Sequence, residues 1–189
     1  MVRAILDGTK TQTRRVVKPQ PCEGGRVRNL VNEFWSVQLG ILDGNPHGEW
    51  QDFKCPYGKV GDRLWVRETF YHETDFHGSP STWYRADDDT FPGMWKPSIF
   101  MRKAQCRIVL EITDVRVERV ATISGWDAQN EGVKPGPIFD ETADEMWKSE
   151  YRILWDSLNA KRGFGWSVNP WVWAITFKKP PTPPDRATE

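Results

Sequence analysis

The sequence is poor in the residues that build metal and disulfide frameworks. It has 189 residues, of which only three are cysteine and three histidine. Cys22, Cys55 and Cys106 are widely spaced and form no C-x-x-C pair, which argues against a disulfide scaffold and against a zinc site. His47, His72 and His77 fall in loop-like stretches with no ligand spacing to a cysteine pair, so no metal and no cofactor is expected. The cysteines read as reduced, mostly buried thiols. No window is apolar for long enough to span a bilayer, and no charged-then-apolar stretch opens the chain. The expectation is a soluble cytoplasmic protein without membrane partners. There is no excess charge of either sign, since 26 Lys and Arg balance 26 Asp and Glu. That argues against strong non-specific nucleic-acid binding by the whole surface.

The charge is nevertheless unevenly placed. Arg3, Lys10, Arg14, Arg15 and Lys18 cluster near the start against Asp7 alone, whereas Asp87-Asp88-Asp89 and Asp140, Glu141, Asp144 and Glu145 come later. A local basic face suits a small anionic ligand or a short nucleic-acid segment. Tryptophan is unusually common, at 11 residues. Most are expected in a core, and some at a pocket rim where an indole can stack on a base.

The pattern predicts an α+β domain over 1–178 followed by a disordered, proline-rich tail over 179–189. A short helix over Met1–Asp7 stops at Gly8. Strands are predicted at Thr11–Val17, Arg63–Phe70, Cys106–Val120 with a bend at Asp114, and Trp171–Phe177. Ser124 followed by Asp127 reads as a helix N-cap, and Gly132 ends that helix. A longer helix over Glu141–Asn159 carries Ala143, Met146, Trp147, Tyr151, Leu154, Trp155 and Leu158 at helical spacing. The stretches near 20–59 and 71–103 read as two long loop insertions, with ordered pieces only around Phe34–Val37 and at Thr82–Ala86.

Chemistry concentrates in Gly8-Thr9-Lys10-Thr11-Gln12-Thr13-Arg14-Arg15. Strand alternation places Thr11, Thr13 and Arg15 on one face and Gln12 and Arg14 on the other, with Lys10 at the preceding turn. An ammonium, a hydroxyl and a guanidinium converging on one pocket suit a phosphate, a carboxylate or a base carbonyl. Solvated surface charges are the competing reading of the same residues.

Ile5 through Arg15 resembles the opening of ASCH domains, in which a short helix ends in Gly-x-Lys-Thr and leads into a Thr/Arg strand. Gly61-Asp62 before an apolar strand, and Ile123-Ser124 leading to Asp127-Ala128-x-x-Glu131-Gly132, resemble two further landmarks of that family. Cys55-Pro56-Tyr57-Gly58, Trp65-Val66-Arg67-Glu68 and Trp155-Asp156-Ser157 are similar to the larger phage and prophage members. The resemblance implies a PUA-like mixed β-barrel with flanking helices, in a protein of bacterial or phage origin that binds RNA, single-stranded DNA or a modified nucleoside. Small bacterial members remove the acetyl group from acetylcytidine. Matched to them, Lys10 is the proton acceptor, Thr13 the nucleophile and Glu131 the group at the leaving amine, with Arg15 at the place of the family arginine. Thr11, Arg14, Arg15 and Glu68 are the candidate residues for binding substrate or nucleic acid. Glu68 also fits an ordinary salt bridge to Arg67 or Arg85. Three functions follow as expectations: a nucleic-acid or nucleoside-binding domain, an acetylcytidine-type amidohydrolase, and a phage protein-interaction module anchored by exposed tryptophans.

Overall fold

The computed structural model describes residues 1–21, 25–29, 34–40, 49–74, 76–90, 93–134, 136 and 142–180. Cys22, His47, the expected helix start at Glu141 with its neighbour Asp140, and the tail from 181 lie outside the described residues.

The chain is α+β with antiparallel sheets. The elements are α1 (Val2–Leu6), β1 (Gln12–Val16), β2 (Val27–Asn29), β3 (Phe34–Gly40), β4 (Glu49–Lys54), β5 (Arg63–Trp65), β6 (Phe70–Thr74), β7 (Pro80–Tyr84), β8 (Val109–Arg119), α2 (Gly125–Asn130), α3 (Ala143–Asn159) and β9 (Trp171–Lys178). The main sheet has the order β1-β9-β8-β5; β2-β3-β4 form a second sheet and β6-β7 a third. Among the described residues these sheets are open, and none closes into the expected barrel.

Strand β9 is central to the main sheet, and Val172, Trp173, Ala174, Ile175 and Phe177 are all buried. A strand covered on both faces reads as a continuous apolar run rather than an alternation. The bend expected at Asp114 is a register shift between Ile112 and Asp114. It lets Ile112, Val115 and Val117 share one face, opposite Phe177, Ile175 and Trp173; in a regular strand Ile112 and Val115 would point to opposite faces.

Ser124 accepts the Asp127 amide at 3.1 Å to cap α2, as its sequence predicts. Thr142 caps α3 in the same way through Glu145, at 3.3 Å. Helix α3 packs Tyr151 and Trp155 against Val120, Ile123, Ala128 and Val172, with Trp147 and Leu154 at the margin. Leu158 departs from the expected apolar face: it is 56% exposed and sits at the rim of a cavity.

Three further expectations need correction. The 20–59 stretch is not a loop insertion with one ordered piece. It contains the β2-β3-β4 sheet, whose Trp35 and Phe53 meet Trp173 with ring centroids 5.6 Å and 5.2 Å apart. Likewise the 71–103 stretch carries most of the β6-β7 hairpin. The strand expected over Arg63–Phe70 ends at Trp65. Beyond it Glu68 turns inward to meet Arg107, and Phe70 begins a different sheet against Tyr84.

Candidate functional site

The start of β1 is tied to the end of α2. Lys10 and Glu131 form an isolated antiparallel bridge, and the Thr11 amide donates to the Asn130 carbonyl at 2.8 Å. Gly8 (φ 77°) and Gly132 (φ 78°) supply the left-handed turns on either side. A Cβ at Gly132 would lie 2.9 Å from Lys10 Cβ, so this approach needs glycine twice over. The helix-end carboxylate and the lysine therefore meet because the backbone leaves them nowhere else to go.

Lys10 Nζ donates to Glu131 Oε2 at 2.7 Å and to the Glu131 carbonyl at 2.8 Å. Both residues are buried. Burial lowers the Lys10 pKa against the pull of Glu131, and Arg15 and Arg14 lower it further. The Arg14 side chain is fully enclosed. Its Nε and Nη2 meet Glu118 at 2.8 Å, its Nη2 meets Asp127 at 3.2 Å and its Nη1 meets Glu131 Oε1 at 3.3 Å. Burial opposes the Arg14 charge, but Glu118 and Glu131 more than offset it and its pKa is raised. Gln12 donates to Asp127 at 2.9 Å, and Arg116 joins the outer edge through Asp114 at 3.0 Å and Asp127 at 3.5 Å. Tyr151 donates weakly to Glu131 Oε1 at 3.5 Å, and burial, then Glu131, pushes its pKa well up.

Above this network lies a cavity of about 490 Å³. Arg14, Glu131 and Tyr151 line it, Tyr57, Leu154 and Trp155 give apolar and aromatic surface, and Arg15, Lys18 and Arg162 bring cations. Those last three are exposed and have no carboxylate partner among the described residues. Glu131 Oε2 is committed to Lys10, whereas among the described residues Oε1 has only the two long contacts, to Arg14 and Tyr151.

The sequence-derived set is thus split by the pleat. Lys10, Arg14 and Glu131 come together, and Arg15 is close enough to act on Lys10. Thr13 is on the opposite face, paired with Ile175 of the Trp173 core. Its Oγ1 is buried without a hydrogen-bond partner among the described residues. The expected convergence of Lys10, Thr13 and Arg15 is not formed, because alternation groups Lys10 with Gln12 and Arg14. Arg14 is no surface cation, and half-buried Thr11 is held by backbone bonds to Asn130 and Phe177. Glu68 lies elsewhere. Arg107 grips it with Nε–Oε1 at 3.0 Å and Nη2–Oε2 at 2.9 Å, in place of Arg67 or Arg85.

Sequence reasoning missed Gln12, Glu118, Asp127, Tyr151 and Tyr57 as parts of the site. Gln12 shares Arg14's face by alternation, and a tyrosine on the apolar face of α3 needs a partner for its hydroxyl. Nothing local links Glu118 to Arg14, 104 residues away. Cys55 and Cys106 are free and half-buried. Among the described residues no three His, Cys, Asp or Glu side chains group as metal ligands would, and no helix is long and apolar enough to cross a membrane. Comparison of the chain with family models, characterised proteins and solved structures finds no match.

Proposed function

We propose that the chain is an ASCH domain of PUA-like ancestry that binds a nucleoside unit of RNA or single-stranded DNA in the cavity over Glu131. One observation carries this reading: a nucleoside-sized cavity combines a cationic rim (Arg15, Lys18, Arg162), aromatic walls (Tyr57, Tyr151, Trp155) and a lining carboxylate, Glu131, whose Oε1 is held by long contacts at 3.3 and 3.5 Å. The rim suits phosphates, the rings suit base stacking worth about 1–3 kcal/mol per base, and Glu131 Oε1 accepts a donor from the ligand. Titration of short RNA and single-stranded DNA across a salt series tests it. Arg15→Ala should weaken binding and lower the salt slope by about 0.7, the share of one phosphate contact on a single strand. Unchanged affinity and slope would refute the reading.

Amidohydrolase action on an acylated cytidine is the second reading. It is favoured by Lys10, whose pKa is lowered by burial and which touches Glu131 at 2.7 Å. It lacks a nucleophile in reach, since Thr13 faces away. Release of acetate from acetylcytidine by the wild type, lost in Thr13→Val, would reverse this preference.

A further inference from the structure

A second cavity, sharing no residue with the first, is lined by Phe70, His72, Lys96, Phe100, Arg102 and Gln105 and encloses about 540 Å³. Among the described residues no carboxylate lines it. The sequence around it is equally one-sided: Thr90 to Leu110 contains no Asp or Glu, yet holds Lys96, Arg102, Lys103 and Arg107. In a chain of zero net charge such a stretch is a local concentration of positive potential. Arg107 is spent on Glu68 and Asp87. Lys96, Arg102 and Lys103 have no carboxylate partner among the described residues.

The backbone around these cations is pinned, whereas the side chains are not covered. Lys96 exchanges both backbone hydrogen bonds with Phe70, at 2.7 Å and 3.2 Å. Met101 is buried and its sulfur accepts the Glu68 amide at 3.3 Å. The Gln105 carbonyl accepts the Tyr84 hydroxyl at 2.7 Å, and the Gln105 side chain accepts the Arg102 amide at 2.9 Å. Yet Ile99 is 68% and Phe100 64% exposed. Cations on a pinned backbone beside an uncovered ring, with no carboxylate among the described lining residues, match a ligand that joins a phosphate to a flat apolar group.

We propose that this cavity binds a phosphate-bearing nucleotide, with Lys96 and Arg102 on the phosphate and Phe100 against the base. The pinned backbone supports it, because only the side chains of Lys96, Arg102 and Phe100 are left for the ligand to order. The nucleotide is either free or one unit of a single strand; the phosphate chemistry is the same. The proposal is independent of the cavity over Glu131.

The test titrates the full chain with thymidine, thymidine monophosphate and an oligothymidylate, reading the methyl resonances of Ile99 and Met101. At least one phosphate-bearing probe should shift them, and thymidine should not. The double variant Lys96→Gln, Arg102→Gln should lose roughly tenfold or more in affinity, as expected when charge contacts to phosphate are removed. The double variant Arg15→Ala, Lys18→Ala should keep these shifts, which separates this site from the one over Glu131. Equal affinity for monophosphate and oligomer identifies a free nucleotide, and tighter binding of the oligomer identifies a strand. Three results would overturn the proposal: no shift with either phosphate-bearing probe, wild-type affinity in Lys96→Gln, Arg102→Gln, or binding only to anionic phosphatidylserine vesicles.

Discussion

Glu131 and Glu68 are each only 2% exposed, yet their surroundings differ. Glu68 is answered by one residue: the Arg107 fork serves both oxygens, and Arg107 is itself braced by Asp87 and by the Tyr84 ring 4.0 Å away. Glu131 is shared between Lys10, Arg14 and Tyr151, and among the described residues its Oε1 has no hydrogen bond shorter than 3.3 Å. A buried carboxylate with both oxygens matched holds structure. One with an under-served oxygen facing a cavity has capacity left for a ligand.

Breaking one end of each ion pair separates the two cases. Arg107→Leu strands the Glu68 charge and should cost about 3–5 kcal/mol in denaturant unfolding. Glu131→Gln keeps an acceptor for Lys10, and Arg14 keeps Glu118 and Asp127. Its cost should be smaller, about 1–3 kcal/mol. If Glu131→Gln proves the more damaging, the division into a structural and an available carboxylate fails.

The next effect depends on pH. The Tyr151 pKa is raised in the folded state, so above pH 10 the unfolded chain gives up that proton first and folding stability falls as pH rises. Tyr151→Phe should remove this component. The two stability curves should diverge by up to about 1.4 kcal/mol per pH unit above 10. The lowered Lys10 pKa acts in the opposite sense just below its ordinary value, equally in both proteins, and cancels in the comparison. Parallel curves would mean that Tyr151 is not isolated beside Glu131.

The smallest effect is expected at Thr13. Its hydroxyl is buried and unpartnered, so Thr13→Val should be neutral or stabilising by up to about 1 kcal/mol. A loss larger than that would show a partner for the hydroxyl.

Much of the frame was legible in local pattern. Alternation in β1 separated Gln12 and Arg14 from Thr13, the caps of α2 and the bend at Asp114 were readable, and α3 showed its Trp155 face. The parity of the motif was also readable, because an offset of three positions from Lys10 to Thr13 sets a regular strand's side chains on opposite faces. The resemblance to small hydrolases outweighed that count. The β2-β3-β4 sheet was hidden because its short strands lie among glycine, proline and charge. Partners across long separations were hidden too. Arg14 meets Asp127 across 113 residues and Glu68 meets Arg107 across 39, and no local rule chooses them over nearer charges.

The most direct measurement compares the two carboxylates in ligand binding. The four ribonucleosides, which carry no phosphate, are titrated into Glu131→Gln and Glu68→Gln with both variants folded. Glu131→Gln should weaken the nucleoside that the wild type binds best by roughly tenfold or more, the worth of a charge-assisted hydrogen bond, and Glu68→Gln should bind as the wild type does. Equal losses in both variants, or none at Glu131, would contradict the account.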